Sequence, residues 1–119
     1  MQAPVHFSDE ARKYFDFIVE ALEKLERLNE TDRPIIEGLA FNLVLIEQSQ
    51  KSIMKHGPII EGLHGTKIHP AVEVMNRANQ KVNEAYRLLG LDSSMRLKIE
   101  KNEEEQQSSF LSSLIRREI

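Results

Sequence analysis

The chain has 119 residues, of which 40% are hydrophobic and 29% are charged, and it contains no cysteine. This length suits one domain with tails, and the composition is that of a folded soluble protein. The lack of cysteine excludes a disulfide framework, a thiolate nucleophile and a cysteine-based zinc site. No apolar run reaches the roughly 18 residues that cross a bilayer. Residues 1–8 lack the basic segment followed by an apolar segment that is typical of a signal peptide. We therefore expect an intracellular protein that does not bind membranes.

The net charge of −3 conceals an uneven distribution along the chain. Residues 1–50 carry five Lys and Arg against ten Asp and Glu, residues 51–101 carry nine against five, and residues 102–119 carry two against four. The three segments therefore have charges of −5, +4 and −2. A basic middle segment permits a local surface for polyanions, although charge alone favours ordinary solvated helix faces.

Apolar residues at three- and four-residue spacing predict a first helix from about Ser8 to Leu28 and a second that ends at Gly57. Ser8 is a suitable N-cap for the first helix. Asp32 or Thr31 can cap the second helix, whose first turn tolerates a proline. The short polar turn between these helices predicts a long antiparallel helix hairpin. Helices of this length argue against a DNA-reading helix-turn-helix.

The segment from Gly57 to His69 contains three glycines and one proline and has no period. It predicts a loop of about a dozen residues, a length more typical of functional or mobile segments than of neutral connectors. A third helix is predicted to begin near Pro70 and to end at Gly90. Asp92 or Ser93 can cap a short fourth helix. The predicted fold class is therefore all-α, with a long antiparallel helix hairpin, a third long helix and a short fourth helix.

The C-terminal part of the chain differs in composition from the predicted helices. Residues 102–109 contain no apolar side chain and predict a solvated linker. The tail that follows has a brief amphipathic pattern, formed by Phe110, Leu111, Leu114 and Ile115. About ten residues are too few for a stable isolated helix. This patch suits docking onto a partner or packing onto its own domain.

No catalytic constellation is distinguishable in the sequence, and we predict neither a cofactor nor a metal site. Gly57 and Gly62 have the spacing of a phosphate-binding loop, but the Lys and the Ser or Thr that contact phosphate and magnesium are missing. His56, His64 and His69 are close in sequence, yet their spacing fits no helical pair of metal ligands. The carboxylates are spread along solvent faces rather than paired in an apolar pocket.

Basic side chains of the middle segment are the remaining functional signal. Arg77 and Lys81 share one helical face, because residues four apart on a helix are neighbours. Tyr86 is the only aromatic residue between positions 51 and 101. This scarcity argues against single-strand binding and favours contacts with the duplex backbone. The predicted DNA-binding residues are Lys51, Lys55, Lys67, Arg77, Lys81, Arg96 and Lys98.

Two stretches carry a family resemblance. The first is Gly65-Thr66-Lys67-Ile68-His69-Pro70-Ala71, at the entry into the third helix, and the second is Leu88-Leu89-Gly90-Leu91-Asp92-Ser93-Ser94-Met95-Arg96, at its end. They resemble the short all-helical branch of the small subunit of phage terminase, the DNA-packaging enzyme. In that branch a glycine, a basic residue and Asn-Pro lead into a long helix, and Leu-Gly-Leu-Thr-Pro-x-x-Arg ends it. The likeness covers about residues 7–101. This chain has His69 where Asn is usual and Ser93 where Pro is usual.

The resemblance implies a protein that is not an enzyme. Residues 1–101 would form a helical oligomerisation and DNA-binding domain, and residues 102–119 a polar linker and amphipathic tail. The expected partners are copies of the chain in a homo-oligomeric ring, double-stranded viral DNA at the packaging initiation site, and the terminase large subunit. The ring would regulate the ATPase and nuclease of the large subunit in the cytoplasm of the infected bacterial host.

Two features of the sequence agree with this expectation. The second and third predicted helices have more apolar positions than one stripe requires, which suits helices buried on two sides by neighbouring subunits. The amphipathic tail at Phe110, Leu111, Leu114 and Ile115 suits contact with the large subunit. Two other interpretations stay open, namely a small helical DNA-binding transcription regulator and a non-catalytic helical adaptor without a nucleic-acid role.

Overall fold

The computed structural model describes residues 1–91, nearly all of which belong to the unit Met1–Leu89. Three α-helices and a two-stranded antiparallel sheet occur in this part of the chain. In chain order they are α1 (Asp9–Lys24), α2 (Arg33–His56), β1 (Ile59–Gly62), β2 (Gly65–Ile68) and α3 (Pro70–Leu88). The predicted fourth helix, linker and tail lie outside the described residues.

The start of α1 is where the sequence predicts it. Ser8 Oγ accepts a hydrogen bond of 3.2 Å from the backbone N–H of Ala11, which is the bond that an N-cap residue makes. Arg12 ties the preceding segment to the helix, because its Nη2 donates to the Val5 carbonyl at 2.8 Å and its Nε donates to the Phe7 carbonyl at 3.2 Å.

The end of α1 comes one turn before the predicted end at Leu28, so that prediction is wrong. Glu26 adopts a left-handed φ of 56°. Its N–H donates to the Glu23 carbonyl at 3.0 Å, and the N–H of Arg27 donates to the Leu22 carbonyl at 2.9 Å. These two bonds form a Schellman motif, which ends the helix without the glycine that usually occupies the left-handed position.

A short 3-10 turn, Glu30–Asp32, connects α1 to α2. Asn29 Oδ1 accepts the N–H of Thr31 at 3.1 Å and so caps this turn. Asp32 occupies the N-cap position of α2, but its side chain makes no capping hydrogen bond. The predicted polar turn is confirmed, whereas the capping side chain belongs to Asn29.

α2 is the central element, because α1 and α3 both pack against it. Tyr14 near the start of α1 contacts Glu47 in the second half of α2, so these helices run antiparallel. The largest fully buried side chains are Phe15, Leu22, Ile36 and Leu39, all from α1 and α2. Burying one such side chain stabilises the fold by about 1.5–3 kcal/mol.

The inward face of α3 is narrow, as its periodicity predicts. It buries the small side chains Ala78, Val82 and Ala85. Short side chains at these positions allow the α2 and α3 backbones to approach closely. After α3, Gly90 has a φ of 72°, which confirms the predicted left-handed residue at the helix end.

Between α2 and α3 the structure has a β-hairpin where the sequence analysis predicts an irregular loop. The strands pair from Ile59 opposite Ile68 to Gly62 opposite Gly65. Short runs of β-branched residues on either side of a glycine-flanked turn are a hairpin signal, which the loop prediction overlooked. The all-α fold class is therefore right for the helices and incomplete for this segment.

Candidate nucleic-acid interface

Lys51 and Lys55 lie one turn apart in the second half of α2, as their spacing predicts. Lys51 Nζ is 3.2 Å from Glu47 Oε1, and Lys55 is exposed. Glu47 also accepts a hydrogen bond of 2.9 Å from the Tyr14 hydroxyl. That hydrogen bond lowers the pKa of the Glu47 carboxyl most, and the hydrogen bond and positive charge of Lys51 lower it further. The same bond to Glu47, helped by burial, raises the pKa of the Tyr14 hydroxyl.

Arg77 and Lys81 lie one turn apart on α3. Arg77 Nη2 is 2.7 Å from Glu73 Oε1, and both side chains are exposed. Lys81 forms no ion pair with another residue of 1–91. It lies at the edge of an opening between two helices, which we call the α2/α3 groove. This groove is lined in part by Pro34, Gly38, Asn42, Lys81 and Leu88.

Lys67 is carried by the β-hairpin rather than by a helix. It stands on β2 opposite Ile60 and is exposed. Its Cδ would lie only 3.2 Å from a Cβ on Gly62, so the glycine gives the lysine stem room to cross the strand pair. The predicted loop residue is therefore held on a defined strand. Arg96 and Lys98 lie outside the described residues.

The two ion pairs leave Lys51 and Arg77 available for exchange with phosphate. Arg77 and Glu73 are both exposed, and Lys51 is exposed beside the half-buried Glu47. Pairs that water reaches contribute little to stability, because water and salt screen them. Phosphate oxygens can replace the carboxylates of Glu47 and Glu73 as partners, since Lys and Arg bind both groups through the same donors. The pairing in the free chain is therefore compatible with DNA contacts.

Net charge differs between the helices, at −2 for α1 and +1 for each of α2 and α3. The described DNA-binding candidates lie on α2, β2 and α3. On α1, by contrast, the exposed side chains include five carboxylates, from Asp9, Glu10, Asp16, Glu20 and Glu23. A polyanion is attracted to the first set and repelled by the second. Net charge therefore favours α2 and α3 over α1 as the candidate interface, and Lys51 lies where α2 contacts α1 through Glu47.

His69, next to the hairpin, has a structural role at the start of α3. His69 Nδ1 accepts the Ala71 N–H at 3.0 Å, and His69 Nε2 is 3.0 Å from Ser52 Oγ. Because Nδ1 accepts, Nε2 carries the proton and donates to Ser52, so the imidazole cannot take a proton from that hydroxyl. The ring of His56 lies 5.9 Å from that of His69. Within residues 1–91 no group of three His, Cys, Asp or Glu side chains is placed to hold a metal.

A comparison with protein families matches residues 11–106 to the family described as "Phage terminase, small subunit". The chain belongs to this family. Comparisons with curated proteins and with solved structures give no match. Membership assigns the terminase small subunit a role in phage DNA packaging, and it confirms the resemblance seen around the hairpin and α3.

The family span of this terminase small subunit includes α2, the β-hairpin, α3 and the positions of Arg96 and Lys98. It ends before the tail residues Phe110, Leu111, Leu114 and Ile115, which also lie outside the described residues. Their contact with the large subunit stays a prediction. None of the described helices has both the length and the apolarity needed to cross a bilayer.

The departure at His69 from the family pattern has a structural explanation. Asn is a preferred N-cap because its side-chain oxygen accepts a backbone N–H at the helix start. His69 Nδ1 accepts the N–H of Ala71 in that way. Histidine at this position therefore preserves the cap at the start of α3. It also forms a hydrogen bond with Ser52 on α2.

Sequence reasoning missed two exposed surfaces. One is the α2/α3 groove, where Gly38 interrupts the interior of α2. The other is the hairpin, whose turn residue Leu63 is fully exposed. A glycine inside a strongly periodic helix was the available signal for the first surface, and a leucine in a short turn between two glycines was the signal for the second.

Proposed function

We propose that this terminase small subunit is a non-catalytic homo-oligomer, closed into a ring, that binds double-stranded viral DNA at the packaging initiation site. The ring regulates the ATPase and nuclease of the terminase large subunit in the cytoplasm of the infected bacterium. The observation that carries the proposal is the difference in net charge between α1, at −2, and the helices α2 and α3, at +1 each. Family membership supports the packaging role.

A ring gives the modest charge of one chain a collective effect. Each subunit offers a few cations, such as Lys55, Lys67 and Arg77, and many subunits offer them to one duplex. Every phosphate that is neutralised releases condensed counterions, so the logarithm of the binding constant falls with the logarithm of salt by about 0.9 per contact. We therefore expect binding that weakens steeply as salt rises.

The test compares two double variants in duplex-binding titrations at several salt concentrations. Lys55→Gln with Arg77→Gln removes two charges from the candidate interface. Lys13→Gln with Lys24→Gln removes two charges from α1 and is the matched control. Lys81 is left unchanged because it also lines the α2/α3 groove. We expect the first variant to bind less tightly with a flatter salt slope, by about 0.9 per lost contact.

Each result of that titration has a defined meaning. Equal losses in both variants would attribute the binding to overall charge and would contradict a localised interface. An unchanged slope in the first variant would remove Lys55 and Arg77 from the interface. A complete lack of duplex binding at low salt would support the adaptor instead.

The quaternary part of the proposal is tested by mass. Light scattering should give a particle several times larger than the chain, whereas a dimer would support the transcription regulator. Deletion of residues 110–119 should leave this particle intact and remove stimulation of the large-subunit ATPase. Loss of assembly on deletion would instead assign the tail to the oligomer.

A further inference from the structure

The α2/α3 groove is an apolar opening with no cover in the described part of the chain. It has a volume of about 190 Å³. Gly38 lines it from the interior of α2, where glycine is less favourable than alanine. A Cβ added at Gly38 would meet no atom within 4 Å. Packing within residues 1–91 therefore does not require this glycine, and the space in front of it is open.

The β-hairpin presents the opposite shape, an apolar projection. Leu63 at the turn is 100% exposed. Ile59 and Ile68 face each other across the two strands and are 63% and 68% exposed. An isolated two-stranded hairpin is only marginally stable in water. Its bare apolar side chains therefore favour a partner surface.

The groove and the hairpin tip cannot meet within one chain. Gly38 lies 18 residues before the end of α2 at His56, which corresponds to about 27 Å along the helix axis. The hairpin begins beyond that end, and each of its four-residue strands spans only about 13 Å. Only a second copy of the chain can bring a hairpin tip to this groove.

We propose that Leu63 of one chain inserts into the α2/α3 groove of the next chain, beside Gly38. This inference rests on the proposed self-association and specifies its interface. The contact joins two different surfaces, so it is heterologous and closes into a ring when the rotation between copies allows it. Glycine at position 38 lets the incoming side chain approach the α2 backbone closely.

Charge on the two surfaces is complementary. The hairpin exposes Glu61 and Lys67, and the groove is lined by Lys81 and Glu84. These four side chains form no ion pair with another residue of 1–91. Two opposite-charge pairs, Glu61 with Lys81 and Lys67 with Glu84, can therefore form between copies. Lys67 and Lys81, which are both predicted DNA-binding residues, then also contribute to assembly.

Disulfide trapping tests the contact directly, because the natural chain has no cysteine. Leu63→Cys and Asn42→Cys chains are co-expressed and oxidised, since a disulfide forms only when the two Cα atoms are within about 7 Å. We expect a covalent dimer from the mixture and none from either variant alone. The double variant should give a ladder of covalent oligomers. Leu63→Cys co-expressed with Glu20→Cys, on α1, is the matched control and should stay uncoupled.

The outcomes separate the interface from the oligomer. A particle of oligomeric mass without the expected cross-link would overturn the interface and leave the self-association of the proposed function intact. A cross-link in Leu63→Cys alone would indicate a tip-to-tip contact and also overturn it. A cross-link within one chain between Asn42→Cys and Leu111→Cys would assign the groove to the tail. A protomer mass for the natural chain would overturn both proposals.

A charge-reversal pair gives a second, independent readout. Glu61→Lys and Lys81→Glu should each lower the mass measured by light scattering, and the double variant should restore it. Leu63→Asp should also dissociate the particle while leaving the helical circular dichroism of the protomer unchanged. Val5→Asp is the control, because Val5 is 92% exposed and lies outside both surfaces. Unchanged mass in Leu63→Asp would contradict the insertion.

Discussion

The hydroxyl of Tyr14 donates a hydrogen bond of 2.9 Å to Glu47 Oε2 and thereby joins α1 to the second half of α2. The other oxygen of that carboxylate lies 3.2 Å from Lys51 Nζ. One carboxylate thus links the acidic helix to a candidate DNA-binding residue. The strength of this link depends on the ionisation of Glu47 and of Tyr14.

Tyr14→Phe should lower stability only at intermediate pH. The pKa of Glu47 is lowered, so its contribution is complete above its usual value of 4.5 and is lost as pH falls through the value in the folded chain. The pKa of Tyr14 is raised, so its contribution is complete below 10.0 and is lost as pH rises through its folded value. Urea midpoints of both proteins, compared at one protein concentration, should converge at both extremes. A constant difference across the range would mean that the hydrogen bond is not its cause.

Glu26→Gly should stabilise the protein, although it replaces a residue with a side chain by glycine. Glu26 holds the left-handed position that ends α1, with a φ of 56°. This conformation costs a residue with a Cβ about 1 kcal/mol more than it costs glycine. Denaturant unfolding should show a gain of that order, and Glu26→Ala, which keeps the Cβ, should show none. A loss of stability in the glycine variant would contradict the strain at this position.

His69→Ala should destabilise the start of α3, because it removes both the cap to Ala71 and the tie to Ser52. Loss of an N-cap costs about 1 kcal/mol. His69→Asn should recover most of this loss, since its side-chain oxygen caps equally well. Ser52→Ala isolates the tie between α2 and α3. Thermal unfolding of the three variants checks the order, and an asparagine variant as unstable as the alanine variant would refute the capping role.

Glu73→Gln should strengthen duplex binding, because it frees the Arg77 guanidinium from a pair with an N···O distance of 2.7 Å. Ion pairs of this spacing contribute about 0.3–0.5 kcal/mol, so the affinity per site should rise about twofold. Glu20→Gln is the matched control, since Glu20 pairs with Lys24 on α1 at the same spacing. An equal increase in both variants would attribute the effect to net charge alone.

Much of the helical architecture was predictable from local chemistry. The Ser8 cap, the polar turn before α2, the narrow stripe of α3 and the left-handed Gly90 all follow from short-range preferences that do not depend on distant partners. The end of α1 was not predictable in this way, because Glu26 occupies a position where glycine is the usual signal. The hairpin was overlooked because its strands are short and flanked by glycines.

The candidate interface was predictable only as a set of basic residues. Spacing placed Lys51 with Lys55 and Arg77 with Lys81, since neighbours on one helix are set by the helical period. The same period places Glu47 beside Lys51 and Glu73 beside Arg77, two ion pairs that the prediction overlooked. The sequence could not show that Lys81 lines a groove, because that depends on how α2 and α3 pack.

The sequence by itself determined the helices, the net charge of each segment and, through its motifs, membership of the terminase small subunit family. These properties depend on local periodicity and residue identity, which are the same whatever the tertiary structure is. Only the tertiary structure decided that Gly38 opens a groove and that Leu63 projects at the other end of the same helix pair. Such relationships join residues that are distant in the chain, and they arise from the packing of α3 against α2.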